Sequence, residues 1–235
     1  MNQNTAGSTE KACSIVLVGD GSVGKSTIIN AFRTDGFQPV YKQTVGCDFY
    51  EKQLIVRNTE KISLRVWDIG GQSISSRNLS SYVQHANGIL FVYDITSRDS
   101  FQNLQDWIGR IRQYNQTNYI YLIGNKMDLV SIRQVSEKDH SNMLVEYNFK
   151  DSCFCSAKTG ENVLKMFYQF ASEITGIQLT QYELAFYDKV LKAHILKPNE
   201  QEEVRNAWAD EIEKEDMELE RKKKLQEQGC NCCIS

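Results

Sequence analysis

The chain has 235 residues and a formal net charge of -3, with 41% hydrophobic and 24% charged residues. This balance is typical of a soluble globular protein, and the length suits one domain of ordinary size with an extension. The small net charge argues against a nucleic-acid partner, and no stretch approaches the ~18 apolar residues that a membrane-spanning helix needs.

Short apolar runs alternate with segments of helical periodicity along the chain. The apolar runs, rich in β-branched residues, predict strands at residues 14–19, 49–56, 62–68, 88–94, 119–124 and 152–155. Apolar residues spaced by three or four predict helices at residues 25–34, 100–114, 136–147 and 162–174. This alternation predicts an α/β fold with a mostly parallel sheet, in which ligands bind outside the carboxyl ends of the strands.

The first predicted strand leads into Gly-Asp-Gly-Ser-Val-Gly-Lys-Ser at residues 19–26, which fits the phosphate-loop pattern of Gly, four residues, and Gly-Lys-Ser/Thr. Glycines let the backbone N–H groups point inward at phosphate oxygens, and the helix start adds partial positive charge. Lys25 can reach the β- and γ-phosphates, and the Ser26 hydroxyl can ligate Mg²⁺. The alternative is a chance match, which the flanking strand and helix disfavour. The predicted phosphate-site residues are Gly19, Gly21, Ser22, Val23, Gly24, Lys25, Ser26 and Thr27.

A second motif, Asn125-Lys126-Met127-Asp128, follows the predicted strand at residues 119–124. The Asp128 carboxylate can accept two N–H donors from guanine, and adenine lacks that pair of donors. Asn125 would tie neighbouring loops together, and the stem of Lys126 can lie along the base. Such a tetrapeptide alone is often only a turn. Its position after a phosphate loop indicates guanine recognition, to which backbone N–H groups of the next loop can add. That loop contributes Ser156, Ala157 and Lys158.

Together these motifs resemble the Ras superfamily of small GTPases and, within it, the Rab family, over residues 14–177. Residues 41–49 resemble the first Rab switch, and residues 67–72 read Trp-Asp-Ile-Gly-Gly-Gln where most Rabs read Trp-Asp-Thr-Ala-Gly-Gln. Residues 100–107 and 174–177 are most similar to the divergent Rab branch numbered twenty-eight. The resemblance implies a three-layer P-loop NTPase fold with a six-stranded, mostly parallel sheet, about five helices and a charged helical tail.

The resemblance also implies roles for individual residues in the reaction GTP + H₂O to GDP + phosphate. Gln72 would orient the attacking water, and the backbone N–H of Gly71 would bond the γ-phosphate. Thr44 would ligate Mg²⁺ and contact the γ-phosphate, and Asp68 would hold Mg²⁺ through water. Tyr41 would close over the phosphates, and Phe37 would pack against guanine. The expected catalytic residues are Gln72, Lys25 and Thr44, and the expected metal site is Ser26, Thr44 and Asp68.

This sequence departs from the usual second switch at three positions. Ile69 and Gly70 replace the usual Thr-Ala pair, and Ser73 replaces a usual Glu. The Gly70-Gly71 pair enlarges backbone freedom, so we expect a second switch that becomes more ordered with GTP than with GDP. The two switches, residues 38–46 and 69–80, would present a surface to effectors.

We divide the chain into an N-terminal segment (1–12), a GTPase domain (13–177), a helical hypervariable tail (178–229) and a prenylation signal (230–235). The Glu- and Lys-rich residues 200–228 predict either a solvated helix with weak ion pairs, or a spacer or partner helix. The last four residues, Cys-Cys-Ile-Ser, fit a prenylation signal. Either Cys232 carries farnesyl, or Cys232 and Cys233 both carry geranylgeranyl as in Rab tails; an unmodified tail is the alternative.

The expected partners are GTP-dependent effectors, an exchange factor, a GTPase-activating protein, and the prenylation and membrane-extraction machinery. Residues 1–11 lack the apolar core of a secretory signal, so we expect a cytoplasmic monomer, anchored by lipid to the cytosolic face of a membrane. Two competing functions are a module that holds nucleotide but hardly hydrolyses it, and another P-loop class such as an ATPase or nucleotide kinase.

Overall fold

The structure, a computed structural model, describes residues 11–34, 46–57, 60–75, 78–180, 183–185 and 187. Its strands form a single six-stranded sheet in the order β2-β3-β1-β4-β5-β6. The β2–β3 pair is antiparallel and the other pairs are parallel. The predicted six-stranded, mostly parallel sheet is therefore confirmed. The strands are β1 (Lys11–Val18), β2 (Cys47–Val56), β3 (Glu60–Ile69), β4 (Gly88–Asp94), β5 (Ile120–Asn125) and β6 (Asp151–Phe154).

Helices follow or precede the strands as the crossovers of a parallel sheet require. The described part of the chain contains six α-helices and two 3-10 helices, more than the five helices expected. The 3-10 helices cover Gly71–Ser75 and Met127–Ile132. The α-helices are α1 (Lys25–Thr34), α2 (Leu79–Val83), α3 (Arg98–Gln102), α4 (Leu104–Ile111), α5 (Glu137–Glu146) and α6 (Val163–Thr175).

Most element boundaries differ from the predictions by one to three residues, and two differences need comment. The single helix predicted at residues 100–114 is two helices, α3 and α4, which meet at Asn103. The first of them begins after Ser97, whose side chain accepts a hydrogen bond from the Ser100 backbone N–H and so caps the helix. Strand β1 begins at Lys11, within the segment that we assigned to the N-terminus, because it pairs with β3 from that residue onward.

Side chains from the two faces of the sheet fill two cores. On one face, Ile15 and Leu17 of β1 pack in a cluster with residues of α1 and α6. On the other face, Val16 and Val18 pack in a cluster with residues of α2, α4 and α5. Every residue of the central strand β4 is buried, as expected for a strand covered by helices on both sides. The loops at the carboxyl ends of the strands remain available for a ligand.

The chain continues past α6 into the beginning of the predicted tail. Thr180 and Glu183 form a reciprocal capping box: the Glu183 N–H donates to Thr180 Oγ1 (3.2 Å), and the Thr180 N–H donates to Glu183 Oε2 (2.8 Å). The ring of Tyr187 stacks on Tyr168 of α6, with centroids 3.9 Å apart. Residues 188–235, with most of the predicted tail and Cys232 and Cys233, lie outside the described residues. In the described part, no helix is long and apolar enough to cross a bilayer.

His140 of α5 is a buried titratable group that contacts side chains of strands β4 and β6. Its Nδ1 is 2.9 Å from the Tyr93 hydroxyl, and its ring centroid is 4.4 Å from that of Phe154. Burial lowers the pKa of His140 to about 4, and the positive charge of Arg133 acts in the same direction. The folded protein therefore holds a neutral imidazole at pH values where the unfolded chain would protonate it.

We predict that His140 makes the protein less stable by about 2 kcal/mol at pH 5 than at pH 7. The unfolded chain binds this proton near pH 6.5, and the folded state only near pH 4. The stability is thus fully present above pH 6.5 and is lost as the pH falls toward 4. Thermal unfolding at both pH values, with GDP held at one saturating concentration, measures the effect.

The variant His140→Gln should show a smaller loss of stability between pH 7 and pH 5, because an amide does not titrate in this range. His85→Gln is the matched control, since His85 is exposed and should leave the pH dependence unchanged. The same pH dependence in the wild type and in His140→Gln would contradict the prediction.

Candidate functional site

The loop after β1 can form only because two of its residues are glycines. Gly19 has φ +136°, and a Cβ there would lie 2.1 Å from the carbonyl oxygen of Val92 in β4. Gly24 has φ +97°, and a Cβ there would lie 2.3 Å from the Nδ2 atom of Asn125. Both backbone conformations disfavour any side chain. The glycines therefore let the loop pack tightly against the ends of β4 and β5.

Lys25 folds back over this loop from the first turn of α1. Its ammonium group donates to the carbonyl oxygens of Gly19 and Asp20, both at 2.7 Å. Burial lowers the pKa of Lys25 to about 8, although the carboxylates of Asp68 and Asp20 act to raise it. The loop thus surrounds a buried cation, which a bound polyanion would stabilise.

Ser26 and Asp68 bring two oxygen ligands together beside the loop. The Ser26 hydroxyl donates to Asp68 Oδ2 at 2.5 Å, and Asp68, near the end of β3, is buried. Within the described ranges, no group of three or more His, Cys, Asp or Glu side chains could hold a metal ion. Mg²⁺ needs no such group, because one or two protein ligands suffice together with water and substrate phosphates. This pair of oxygens fits that requirement.

The start of the second switch packs directly on the phosphate loop. A Cβ at Gly71 would lie 2.1 Å from the backbone nitrogen of Gly21, so only glycine fits. A Cβ at Gly21 would lie 3.9 Å from Nε2 of Gln72, which places the Gln72 side chain over the same loop. The 3-10 helix that begins at Gly71 therefore brings Gln72 next to the phosphate loop at Gly21.

The three departures from the usual second switch have defined environments. Ile69 is buried at the end of β3, and the Gly70 N–H donates to the Gly46 carbonyl oxygen at 3.0 Å. Ser73 is buried and also donates through its hydroxyl to Gly46, at 3.3 Å. The end of the first switch and the start of the second are thus held together by two hydrogen bonds on one carbonyl group.

Asn125 joins three loops of the site. Its Nδ2 donates to the carbonyl oxygen of Val23 in the phosphate loop at 2.8 Å. Its Oδ1 accepts from the backbone N–H of Ala157, in the loop after β6, at 3.0 Å. The side chain is 1% exposed, so both bonds lie in a low-dielectric environment where an unpaired group would be costly. As predicted, Asn125 ties neighbouring loops together.

The charged side chains of Lys126 and Asp128 each contact specific polar or charged residues. Lys126 has φ +70° and pairs with Asp94, which ends β4, at 2.6 Å. The Asp128 Oδ1 atom accepts from the Ser156 hydroxyl at 2.7 Å, and its Oδ2 is 3.6 Å from the Lys158 ammonium. The structure therefore gathers Asn125, Lys126, Asp128, Ser156, Ala157 and Lys158 at one end of the sheet.

The phosphate loop and the 125–128 loop lie side by side, bridged by Asn125. Of the predicted site residues, Phe37, Tyr41 and Thr44 lie outside the described residues, and their roles stay predictions. Two residues were missed. Asp94 pairs with Lys126, and Asp20 accepts hydrogen bonds from α4 and its N-cap. The position of Asp94 at the carboxyl end of a central strand could have indicated it.

Comparison with known proteins identifies the family. The sequence profile of the Ras family matches residues 14–176 of the chain. Ras-related protein Rab-28 from Caenorhabditis elegans is 32% identical over 196 residues, which cover 82% of this chain and 79% of that protein. Ras-related protein SEC4 from Candida albicans is 37% identical over 163 residues, which cover 68% of this chain and 76% of that protein. The chain is a Rab-type member of the Ras family.

The resemblance drawn from the sequence is confirmed by these matches. As a small GTPase of Rab type, the protein binds guanine nucleotides, hydrolyses GTP to GDP, and acts as a switch in vesicle trafficking. Members of this family work with effectors, exchange factors and GTPase-activating proteins.

Proposed function

We propose that GTP and GDP bind across the phosphate loop and the 125–128 loop, together with Mg²⁺. The proposal rests on the bridge formed by Asn125, whose side chain hydrogen-bonds to both the Val23 carbonyl oxygen and the Ala157 N–H. This bridge holds the phosphate loop next to the loop that carries Asp128, a carboxylate suited to guanine. The nucleotide's phosphates would lie at Lys25 and its base at Asp128.

Guanine recognition is assigned to Asp128 because its carboxylate is fixed and oriented. The Ser156 hydroxyl and the Lys158 ammonium both contact it, which restricts its rotation. A carboxylate with two oxygens in one plane accepts a pair of parallel N–H donors. Guanine presents such a pair at its N1 and N2 positions, whereas adenine does not. The Ala157 loop and the stem of Lys126 would complete the base pocket, and this arrangement argues against the ATPase alternative.

The phosphate end is assigned to the loop at residues 19–26 with Thr27 behind it. Lys25 would exchange its two backbone carbonyl partners for phosphate oxygens. Ser26, Asp68 and Thr44 would hold Mg²⁺, which when bound supplies positive charge against the developing negative charge of the transferred phosphoryl group. The Gly71 backbone N–H would donate a hydrogen bond to the γ-phosphate, since Gly71 packs against the loop.

Hydrolysis is assigned to Gln72, whose side chain lies over Gly21. Its amide can accept from and donate to a water molecule and so orient it for attack on the γ-phosphate. No side chain at Gly21 occupies that space. We expect slow intrinsic turnover, accelerated by an arginine from a GTPase-activating protein.

An exposed aromatic surface beside the switches supports effector binding. The Trp67 ring of β3 contacts Phe49 of β2 and Tyr82 of α2, with ring centroids 4.7 Å and 6.3 Å apart, respectively. Phe49 is 46% exposed, which is high for a large apolar side chain. Aromatic residues of this kind are enriched at protein interfaces. We propose that GTP-dependent effectors bind here, to a protein that is itself a monomer.

The C-terminal cysteines support a lipid anchor on the cytosolic face of a membrane. The sequence ends in Cys232, Cys233, Ile234 and Ser235, with a basic run at residues 221–224 upstream. One lipid chain gives only marginal membrane binding, so a second chain or the basic run would be needed for stable attachment. Prenylation enzymes and a membrane-extraction factor would then be partners of this chain.

We predict that Asp128→Asn lowers the affinity for GDP about a hundredfold, since two charge-assisted hydrogen bonds are lost. The amide would instead match xanthine, which carries an oxygen in place of the 2-amino group of guanine. Competition of GDP, ADP and xanthosine diphosphate for a fluorescent nucleotide measures this. Asp99→Asn, an exposed carboxylate on α3, should behave like the wild type. An unchanged preference for GDP in Asp128→Asn would remove Asp128 from the base site.

We predict that Gln72→Leu slows single-turnover GTP hydrolysis about tenfold or more without weakening GTP binding. Leucine has a similar size but can neither accept from nor donate to water. Phosphate release from preloaded protein measures the rate, and Gln105→Leu on the exposed face of α4 serves as control. An unchanged rate in Gln72→Leu would favour the alternative in which this protein acts chiefly by holding nucleotide.

We predict that Cys232→Ser combined with Cys233→Ser shifts the expressed protein from the membrane fraction to the soluble fraction. Intact mass measurement of the wild type separates one farnesyl group from two geranylgeranyl groups, and each single variant assigns the position. Cys153→Ser, within β6, is the control. Equal membrane partitioning of the double variant and the wild type would exclude the anchor.

A further inference from the structure

Asp20 is an acidic residue in the middle of a loop proposed to bind polyphosphate. A carboxylate next to phosphates opposes their binding through like-charge repulsion, more strongly in a partly buried site than in water. The phosphate-loop pattern does not require a charged residue at this position, because it leaves the four positions between its glycines unspecified. The contacts of the Asp20 side chain therefore indicate what it does.

Both carboxylate oxygens of Asp20 are held by one helical segment. The Asn103 Nδ2 atom donates to Asp20 Oδ2 at 2.7 Å, and the Trp107 Nε1 atom donates to Asp20 Oδ1 at 3.0 Å. Asn103 and Trp107 are four residues apart, so they lie on the same face of the helical segment. Neutral N–H donors thus hold both oxygens of the Asp20 carboxylate at the helical segment.

The two donors are well fixed in position. Trp107 is completely buried, so packing determines where its N–H points. Asn103 is the N-cap of α4, but its side chain makes no capping hydrogen bond. A capping side chain bonds the helix from a non-helical backbone conformation, whereas Asn103 is helical, with φ -64° and ψ -14°. Its amide is directed to the phosphate loop instead.

The same helical segment is also attached to the end of β4. The Ser100 hydroxyl accepts from the Asp94 backbone N–H at 3.1 Å, and the Asp94 carboxylate pairs with Lys126 of the base loop. On its other side, the Asp20–Gly21 backbone is the surface against which Gly71 packs. A displacement of Asp20 would therefore disturb the contacts of both the phosphate loop and the second switch.

We propose that Asn103 and Trp107 are positioning residues that clamp the phosphate loop through Asp20 and so set the lifetime of the bound nucleotide. They touch neither the phosphates nor the base. They act by holding the loop backbone in the conformation that its glycines permit. The inference rests on the proposed function, because it concerns the same loop. It also gives a physical role to residues 100–107, which the nucleotide contacts leave without one.

The test exchanges the two partners of the clamp. Asn103→Asp places a carboxylate against the Asp20 carboxylate and should raise the dissociation rate of a fluorescent GDP analogue about tenfold, which corresponds to ~1.4 kcal/mol. Adding Asp20→Asn restores a donor and an acceptor with their roles reversed. The new amide oxygen can still accept from Trp107, and its N–H can donate to the new carboxylate at position 103. The double variant should release GDP within about twofold of the wild-type rate.

Dissociation is measured with excess unlabelled GDP and Mg²⁺, and thermal unfolding is recorded for each variant. Gln105→Ala, on the exposed side of α4, is the matched control and should leave the rate unchanged. A wild-type rate in Asn103→Asp overturns the clamp, and so does a raised rate that the double variant does not restore. A wild-type protein that fails to retain GDP at all would overturn the proposed nucleotide site itself, and with it the clamp.

Discussion

The buried side chain of Asn125 holds three loops of the site together. Its amide satisfies a carbonyl of the phosphate loop and an N–H of the loop after β6 at the same time. Removing it would leave two backbone groups unpaired in a region where unpaired polar groups are costly. Gly24 must lack a side chain because the Asn125 amide occupies the space beside it. The glycine at position 24 of one loop and the asparagine at position 125 of another therefore depend on each other.

The parts of this structure that sequence could predict are those fixed by local chemistry. The spacing of Gly19, Gly24 and Lys25 is dictated by a tight turn that leads into a helix, and it can be recognised without knowledge of the rest of the chain. The six strands were predictable because apolar β-branched runs separate cleanly from helical periodicity. The base loop could be assigned for the same reason, since Asn125 and Asp128 lie at or just after the end of a strand that the pattern identifies.

What sequence could not predict are contacts between side chains far apart in the chain. Asp20 accepts hydrogen bonds from Asn103 and Trp107, which lie 83 and 87 residues away in the chain. No local sequence pattern predicts that pairing. The boundary between α3 and α4 was missed for another reason. Apolar residues keep a helical spacing through Asn103, and its backbone also stays helical. Helical periodicity reports which face is buried, and it does not report what a polar residue contacts.

The altered second switch follows from the same kind of distant contact. Ser73 is buried with its hydroxyl on the Gly46 carbonyl oxygen, which also accepts from the Gly70 N–H. A glutamate at this position would set an ionised acceptor against another acceptor in a buried environment, which is unfavourable. Serine supplies the donor that the carbonyl requires. The replacement therefore links the start of the second switch to the end of the first by a hydrogen bond. A displacement of either switch would disturb this bond and so act on the other switch.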